Sequence, residues 1–224
     1  LNTIGFKKQR ADFESLRYET VNQPGARSSG DTQYTVGLQI GNGAKVSAIK
    51  RNMEVGSPMI TNNPFDLMIQ GDGFFGVFLP NGQLSYTRDG AFNVDKAGFL
   101  TTKHGYKVFP SVQVPPNTAQ INVSEAGKVE AYIRNQKEPI GLGTIPVFTF
   151  VNPVGLKATG QNFYSETSVS GIAIQQTGGE ENAGPVLQGT LEASNVSIMS
   201  EMTGLIKAQR AYEMNSKVMK VADE

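Results

Sequence analysis

From Ser194 to Glu224 the chain contains no proline, and Ile198, Leu205, Tyr212 and Met219 recur every seven residues. Met202, Gln209 and Ser216 repeat four positions later in the same frame. This is the d/a seam of a coiled coil with two polar a positions. Val196, Met199, Ile206 and Val218 widen the stripe, and Ser194 or Asn195 is placed to cap its start. Glu201, Lys207, Arg210, Glu213, Lys217 and Lys220 read as a solvated or interchain-paired surface of the same helix. An isolated helix of about 25 residues is only marginally stable in water, so the stripe demands a partner. Whatever the rest of the chain folds into must therefore tolerate a terminus that completes itself by association.

The opposite end has a similar need. Residues 1–17 form a lead-in where Ile4, Phe6, Phe13 and Leu16 mix with Lys7, Lys8, Arg10 and Arg17, and Asp12 to Tyr18 suits a short helix. Residues 18–57 change character. Pro24-Gly25, Ser28-Ser29-Gly30 and Gly41-Asn42-Gly43 punctuate them, and Val36, Leu38 and Ile40 alternate with Gly37, Gln39 and Gly41. Val46 and Ala48 continue the period of two, which means strand, and Asn42-Gly43 predicts a hairpin turn. So few apolar side chains cannot enclose a core, so the segment is an extended β-hairpin arm. Tyr34, Val36, Leu38, Ile40 and Val46 are its candidate contact residues.

Residues 58–185 read as a compact antiparallel β domain. Strand-like runs are Asp66–Gln70, Phe74–Leu79, Leu84–Arg88, Phe92–Asp95, Phe99–Thr102, Lys107–Pro110, Gln120–Ser124, Lys128–Ile133, Gly143–Phe150 and Asn162–Glu166. Turn-formers such as Pro80-Asn81-Gly82, Asp89-Gly90 and Ala126-Gly127 separate them. Residues 175–185 are polar and glycine-rich, as expected of a mobile loop. Residues 186–224 then supply a return strand and the coiled-coil helix. The fold class is mainly β: one β domain flanked by an arm and a long C-terminal α-helix.

Composition removes most chemistry. The chain of 224 residues has no cysteine, which excludes a disulfide framework, a thiol nucleophile and a thiolate metal site. One histidine, His104, cannot supply the paired imidazoles of common zinc sites, and no Gly-x-Ser-x-Gly elbow accompanies it. Twenty basic and twenty acidic residues leave net charge zero, against the basic surplus of a nucleic-acid binder. Near-zero charge also weakens self-repulsion, which suits a chain that associates. No apolar run approaches the ~20 residues of a membrane span, so no membrane insertion is expected. Asp72, Asp89 and Asp95 adjoin glycines and read as turn residues, without the closely spaced carboxylates of a calcium loop. Gly71-Asp72-Gly73-Phe74-Phe75-Gly76 matches a dinucleotide fingerprint literally, but a strand follows it, not a helix. Tyr34, Tyr86, Tyr106 and Tyr132 with Arg88 and Lys107 are strand residues, or else a carbohydrate- or nucleic-acid-binding face. No catalytic, cofactor-binding or metal-binding residue is assigned, and no cofactor is expected.

Three ordered segments carry a family resemblance. Asn2-Thr3-Ile4-Gly5-Phe6-Lys7-Lys8, Ile69 to Val108 and Leu191 to Glu224 resemble the axial proteins of the bacterial flagellum. The last includes Ser194-Asn195-Val196, Gln209-Arg210-Ala211-Tyr212 and Asn215-Ser216-Lys217. Tyr18 to Val46 resembles the insertion of the distal-rod type, which hook subunits lack. The resemblance implies a structural subunit of the basal body that self-assembles into a rigid helical tube and transmits torque to the hook. It also implies a homo-oligomer, other rod and hook subunits and surrounding ring proteins as partners, a periplasmic place and export by the flagellar type III system. Such members pair N- and C-terminal helices; Leu1 falls after the first of these, so Ile198, Met202, Leu205, Tyr212 and Met219 would have no mate within this chain, which reads as truncated at both ends. The rival readings are a proximal rod or hook-type subunit, a periplasmic carbohydrate-binding β module and a peptidoglycan hydrolase, the last needing two convergent carboxylates.

Overall fold

The computed structural model describes residues 3–22, 27–29, 32–33, 38–134, 136, 138–180 and 182–223. Among them the fold is mainly β, with a single long helix, Ile198–Asp223. The chain divides into two compact units, one of Leu1–Lys8 with Met53–Glu224 and one of Gln9–Asn52.

The larger unit is organised by Phe74–Phe78, a central strand of a six-stranded antiparallel sheet. The order is Lys157–Gly160, Phe163–Ser165, Leu84–Thr87, Phe74–Phe78, Val147–Thr149, Ile174–Gln176. Side chains alternate across a strand, and both faces here are covered. Phe75 joins Leu67, Ile69, Phe92, Leu100, Val147 and Val186 in one core, while Phe74 packs with Tyr86, Phe148, Leu156 and Tyr164 on the other side. Edge-to-face rings set the second core: Phe74 and Tyr164 lie 5.8 Å apart, Tyr86 and Phe150 4.9 Å. Gly76 is glycine because a Cβ there would lie 2.6 Å from the Phe148 ring.

A three-stranded sheet (Thr118–Val123, Lys128–Ile133, Ile140–Thr144) and a hairpin (Phe92–Val94 with Leu100–Thr102) close the first core. The end of the chain returns to the start of the unit: Val186–Gln188 pairs with Leu67–Ile69, and Thr190–Glu192 with Pro58–Ile60. The last strand thus delivers the helix beside the domain's entrance.

Several expectations need correction. Lys107–Pro110 is no strand: it makes isolated bridges, Thr101 to Lys107 and Val77 to Val108, and then enters a cis Phe109–Pro110 bond. The run Gly143–Phe150 breaks at Ile145-Pro146, where proline has no N–H for a ladder, and the Ile145 N–H donates instead to the Gly127 carbonyl at 2.8 Å. The expected mobile loop at 175–185 starts inside the strand Ile174–Gln176. Beyond it Ala183 is buried in the core and the Gly184 N–H donates to the Asp72 carbonyl at 2.9 Å.

In the smaller unit, the expected helix at Asp12 to Tyr18 is largely strand. Gln9–Ser15 pairs antiparallel with Ala44–Arg51, and Tyr18–Asn22 with Leu38–Gly41. Asn42-Gly43 therefore makes no hairpin turn. It is a break in one long ribbon, with the Leu16 N–H donating to the Gly43 carbonyl at 2.8 Å. The ribbon begins at Gln9, earlier than the expected Tyr18, because its first strand is held by residues 29 to 42 positions away.

Candidate assembly interface

The helix presents its apolar rows to solvent. It starts at Ile198, and the Ser197 carbonyl accepts the first helical bond from the Glu201 N–H at 3.1 Å. Neither Ser194 nor Asn195 serves as the cap. The Asn195 side chain instead accepts from the Lys8 N–H at 2.7 Å and donates to the Glu54 carbonyl at 3.1 Å. Ile198, Met202, Leu205, Tyr212 and Met219 are together on the helix, and each is 54% to 76% exposed. Met199, Ile206, Met214 and Val221 form a second exposed row, roughly a third of a turn away at 3.6 residues per turn. By spacing along the sequence alone, Met199 and Ile206 stand as a margin of the first row. Two rows suit a helix that packs against neighbours on more than one side.

The ribbon is sorted by face. On one side lie Arg10, Asp12, Glu14, Lys45 and Lys50, and they pair: Lys45 with Glu14 at 2.9 Å, Lys50 with Asp12 at 3.1 Å. The Ser47 hydroxyl adds a bond to Glu14 at 2.8 Å, and these donors hold the Glu14 carboxyl below its usual range. A register shift between Asp12 and Phe13 keeps the alternation in phase. On the other side Ala11 faces Ile49, and Phe13 faces Val46. Phe13, Val46 and Ile49 are 54% to 70% exposed. Of the candidate arm contacts, Ile40 and Val46 are exposed. Leu38 is described in its backbone alone, within Leu38–Gly41, and Tyr34 and Val36 lie outside the described residues.

Where the lead-in meets the return strand, sequence reasoning missed a buried ionic cluster. Lys7 Nζ lies 2.6 Å from Glu192 Oε1 and donates to the Glu54 carbonyl at 2.6 Å. The Gly56 N–H reaches the same carboxylate oxygen at 2.9 Å. Arg88 approaches Glu192 Oε2 at 3.4 Å and donates to the carbonyls of Ile69 and Gly71 at 3.2 and 2.6 Å. All three side chains are at most 3% exposed. Burial pushes the Lys7 ammonium down, helped by the Arg88 charge and opposed by Glu192. Burial lowers Arg88 likewise. Gly56 must be glycine, since a Cβ would sit 1.9 Å from the Ala193 carbonyl oxygen. The cluster ties the lead-in, the segment after the arm and the strand before the helix to one another.

The other candidates fall into structural roles. Asp95 accepts from the Ala97 and Phe99 N–H groups at 2.9 and 2.8 Å, and Asp89 from Ala91 at 3.1 Å, as turn aspartates do. Gly71 to Gly76 leads into the strand Phe74–Phe78, which gives no helix N-terminus for a phosphate. Tyr86 is buried, which removes it from any exposed aromatic face. Among the described residues no group of three His, Asp or Glu side chains is arranged to hold a metal, and no helix is long and apolar enough to cross a membrane.

Comparison with known proteins identifies the family of both the β domain and the helix. Residues 68–131 match the flagellar hook protein FlgE/F/G D1 domain, and residues 187–224 match the flagellar basal body rod FlgEFG protein C-terminal family. The chain is 43% identical over its whole length to the flagellar basal-body rod protein FlgG of Caulobacter vibrioides, covering 86% of that protein. It is 45% identical, again over its whole length, to the FlgG of Borreliella burgdorferi, covering 85%. The flagellar hook-basal body complex protein FlhP of Bacillus subtilis is 28% identical over the whole chain, with 86% of it covered. Identity of this extent over the whole chain, with the two matched domains, places it in the FlgG family of flagellar basal-body rod proteins, as a structural rod subunit.

Proposed function

We propose that this chain builds the distal rod as a homo-oligomeric helical tube, rigid enough to carry motor torque to the hook. In that tube Ile198, Met202, Leu205, Tyr212 and Met219 pack on neighbouring helices in an inner layer, and the β domain stands outside it. The ribbon Gln9–Asn52 reaches adjacent subunits and stiffens the lattice through many contacts worth roughly 0.2–1 kcal/mol each. Rod and hook subunits and the surrounding ring proteins are its partners. It works in the periplasmic part of the basal body after export by the flagellar type III system, and no catalytic step is part of the role. The absence of cysteine accords with a chain threaded unfolded through a narrow channel.

The observation that carries this reading is the helix with two exposed apolar rows. Apolar surface of that extent is favourable only when covered, at roughly 25 cal/mol per Å² buried. Replacing Leu205 by Asp puts a charge into the first row without touching the β core. Sedimentation and electron microscopy of the rods should then show loss of assembly, while circular dichroism of the β domain stays unchanged. Rods of normal length from Leu205→Asp would sink the helix-layer reading.

A further inference from the structure

We propose that Asn42 is a self-modifying site. Its side-chain amide deamidates through a cyclic imide formed with Gly43, so the ribbon acquires a new carboxylate as the chain ages.

The chain holds two Asn-Gly dipeptides, Asn42-Gly43 and Asn81-Gly82. Asparagine is among the thermolabile residues, and a following glycine has no Cβ to shield its amide nitrogen. By sequence the two sites are equal; the fold separates them. Both glycines sit at positive φ, 98° for Gly43 and 78° for Gly82, with open space around the place a Cβ would take. Hydrogen bonding is what differs. The Gly82 N–H, the group that would attack, donates to the Leu79 carbonyl at 2.9 Å. Asn81 Oδ1 accepts from the Gln83 N–H at 3.0 Å, and Asn81 Nδ2 donates to Gln83 Oε1 at 2.9 Å. Carboxamide and nucleophile are thus both held in the turn.

At the ribbon's break these ties are missing. Among the described residues neither the Asn42 carboxamide nor the Gly43 N–H makes a hydrogen bond, and both residues are exposed. The strand Leu38–Gly41 ends before the pair and Ala44–Arg51 begins after it. The carboxamide can therefore swing onto the Gly43 nitrogen without breaking a ladder bond. The Gly43 carbonyl alone is held, by the Leu16 N–H at 2.8 Å.

The reaction needs only water. The Gly43 nitrogen loses its proton and attacks Asn42 Cγ; the N–Cγ bond forms, the Cγ–Nδ2 bond breaks, and the amide nitrogen leaves as ammonia. Water then opens the five-membered imide at either carbonyl, giving aspartate or isoaspartate, with no change of oxidation state. Either product raises the acidic residues from 20 to 21 against 20 basic ones, so the net charge falls from zero to −1. Isoaspartate also inserts a methylene into the main chain between the two ladders. The change is confined to the smaller unit, Gln9–Asn52.

The full chain is incubated at neutral and at mildly alkaline pH, and the peptides carrying each site are followed by mass spectrometry. Asn42 should convert about tenfold faster than Asn81 in the folded protein, the scale of the net hydrogen bonds that must open first at Asn81. The rate at Asn42 should rise with pH, as the attacking nitrogen deprotonates more readily. In chains unfolded by urea both sites should convert at similar rates. Equal rates in the folded protein, or a folded Asn42 slower than Asn81, would overturn the proposal. So would a tenfold preference that persists in urea, because it would then come from the flanking sequence and not from the fold.

Discussion

Glu192 is the side chain on which the base of the molecule turns. It is 1% exposed and faces two cations, Lys7 and Arg88, which are themselves buried. Removing one member of a buried ionic set leaves the others uncompensated, at a cost of about 3–5 kcal/mol. Glu192→Gln should cost that much, because it leaves Lys7 and Arg88 facing each other. Lys7→Met should cost less, because Arg88 still balances Glu192. Urea unfolding reads both as a fall in midpoint at constant slope. Alkali probes a second buried residue. Burial, with the Glu166 charge adding to it, pushes the Tyr86 phenol up to about 12. An acid whose folded pKa is raised stays neutral in the fold while the unfolded chain ionises near 10. Its stabilising effect is thus complete below pH 10 and lost as pH rises from about 10 to about 12. Tyr86→Phe should flatten the loss of stability over that window, and the wild-type absorbance near 295 nm should show one phenolate appearing last.

At the level of elements, turn residues separate two kinds of glycine. Gly127 has φ of 77° in the turn before Lys128–Ile133, and a Cβ there would lie 2.2 Å from the Ile145 carbonyl oxygen. Gly105 has φ of 83° with open space around it. Gly105→Ala should cost only the left-handed backbone term of about 1–2 kcal/mol. Gly127→Ala should cost clearly more, because the backbone of Ile145 must move and its N–H bond to Gly127 breaks; thermal melts of the two variants check the order. These turns were legible in the sequence because their chemistry is local. Leu84–Thr87, Lys128–Ile133 and the helix were legible too, since periodicity and nearby turn-formers define them. What decides Gln9–Ser15 is not local: Ala44–Arg51 draws it into a ladder, whereas the block Asp12 to Tyr18 taken alone suits a short helix. Asn42-Gly43 misleads for the same reason, because each flank pairs with a different strand. The seam on Ile198–Asp223 could be read from spacing, but the cluster of Lys7, Arg88 and Glu192 could not. Its members have no pattern along the chain and meet only after the return strand has paired.

For the whole molecule, the division into two units is a statement about which part needs which. Gln9 and Arg51 are cross-strand partners, and opposed residues in antiparallel strands lie about 4.5–5.5 Å apart. The chain therefore leaves the larger unit and re-enters it at neighbouring points. Replacing residues 10–50 by a two-residue turn such as Asn-Gly bridges that gap without strain. Every residue of both cores belongs to the larger unit, and so does the Lys7, Arg88 and Glu192 cluster. The shortened chain should melt within a few degrees of the parent and keep its near-ultraviolet tyrosine signal. Its assembly should differ: with the helix rows intact, subunits still stack, but without the ribbon the contacts that resist bending are gone. Electron micrographs should show curved or flexible filaments in place of straight rods, and the measured persistence length should fall several-fold. A shortened chain that melts far below the parent would mean that the ribbon belongs to the folding unit. One that folds normally and still forms straight, stiff rods would mean that stiffness resides in the helix layer.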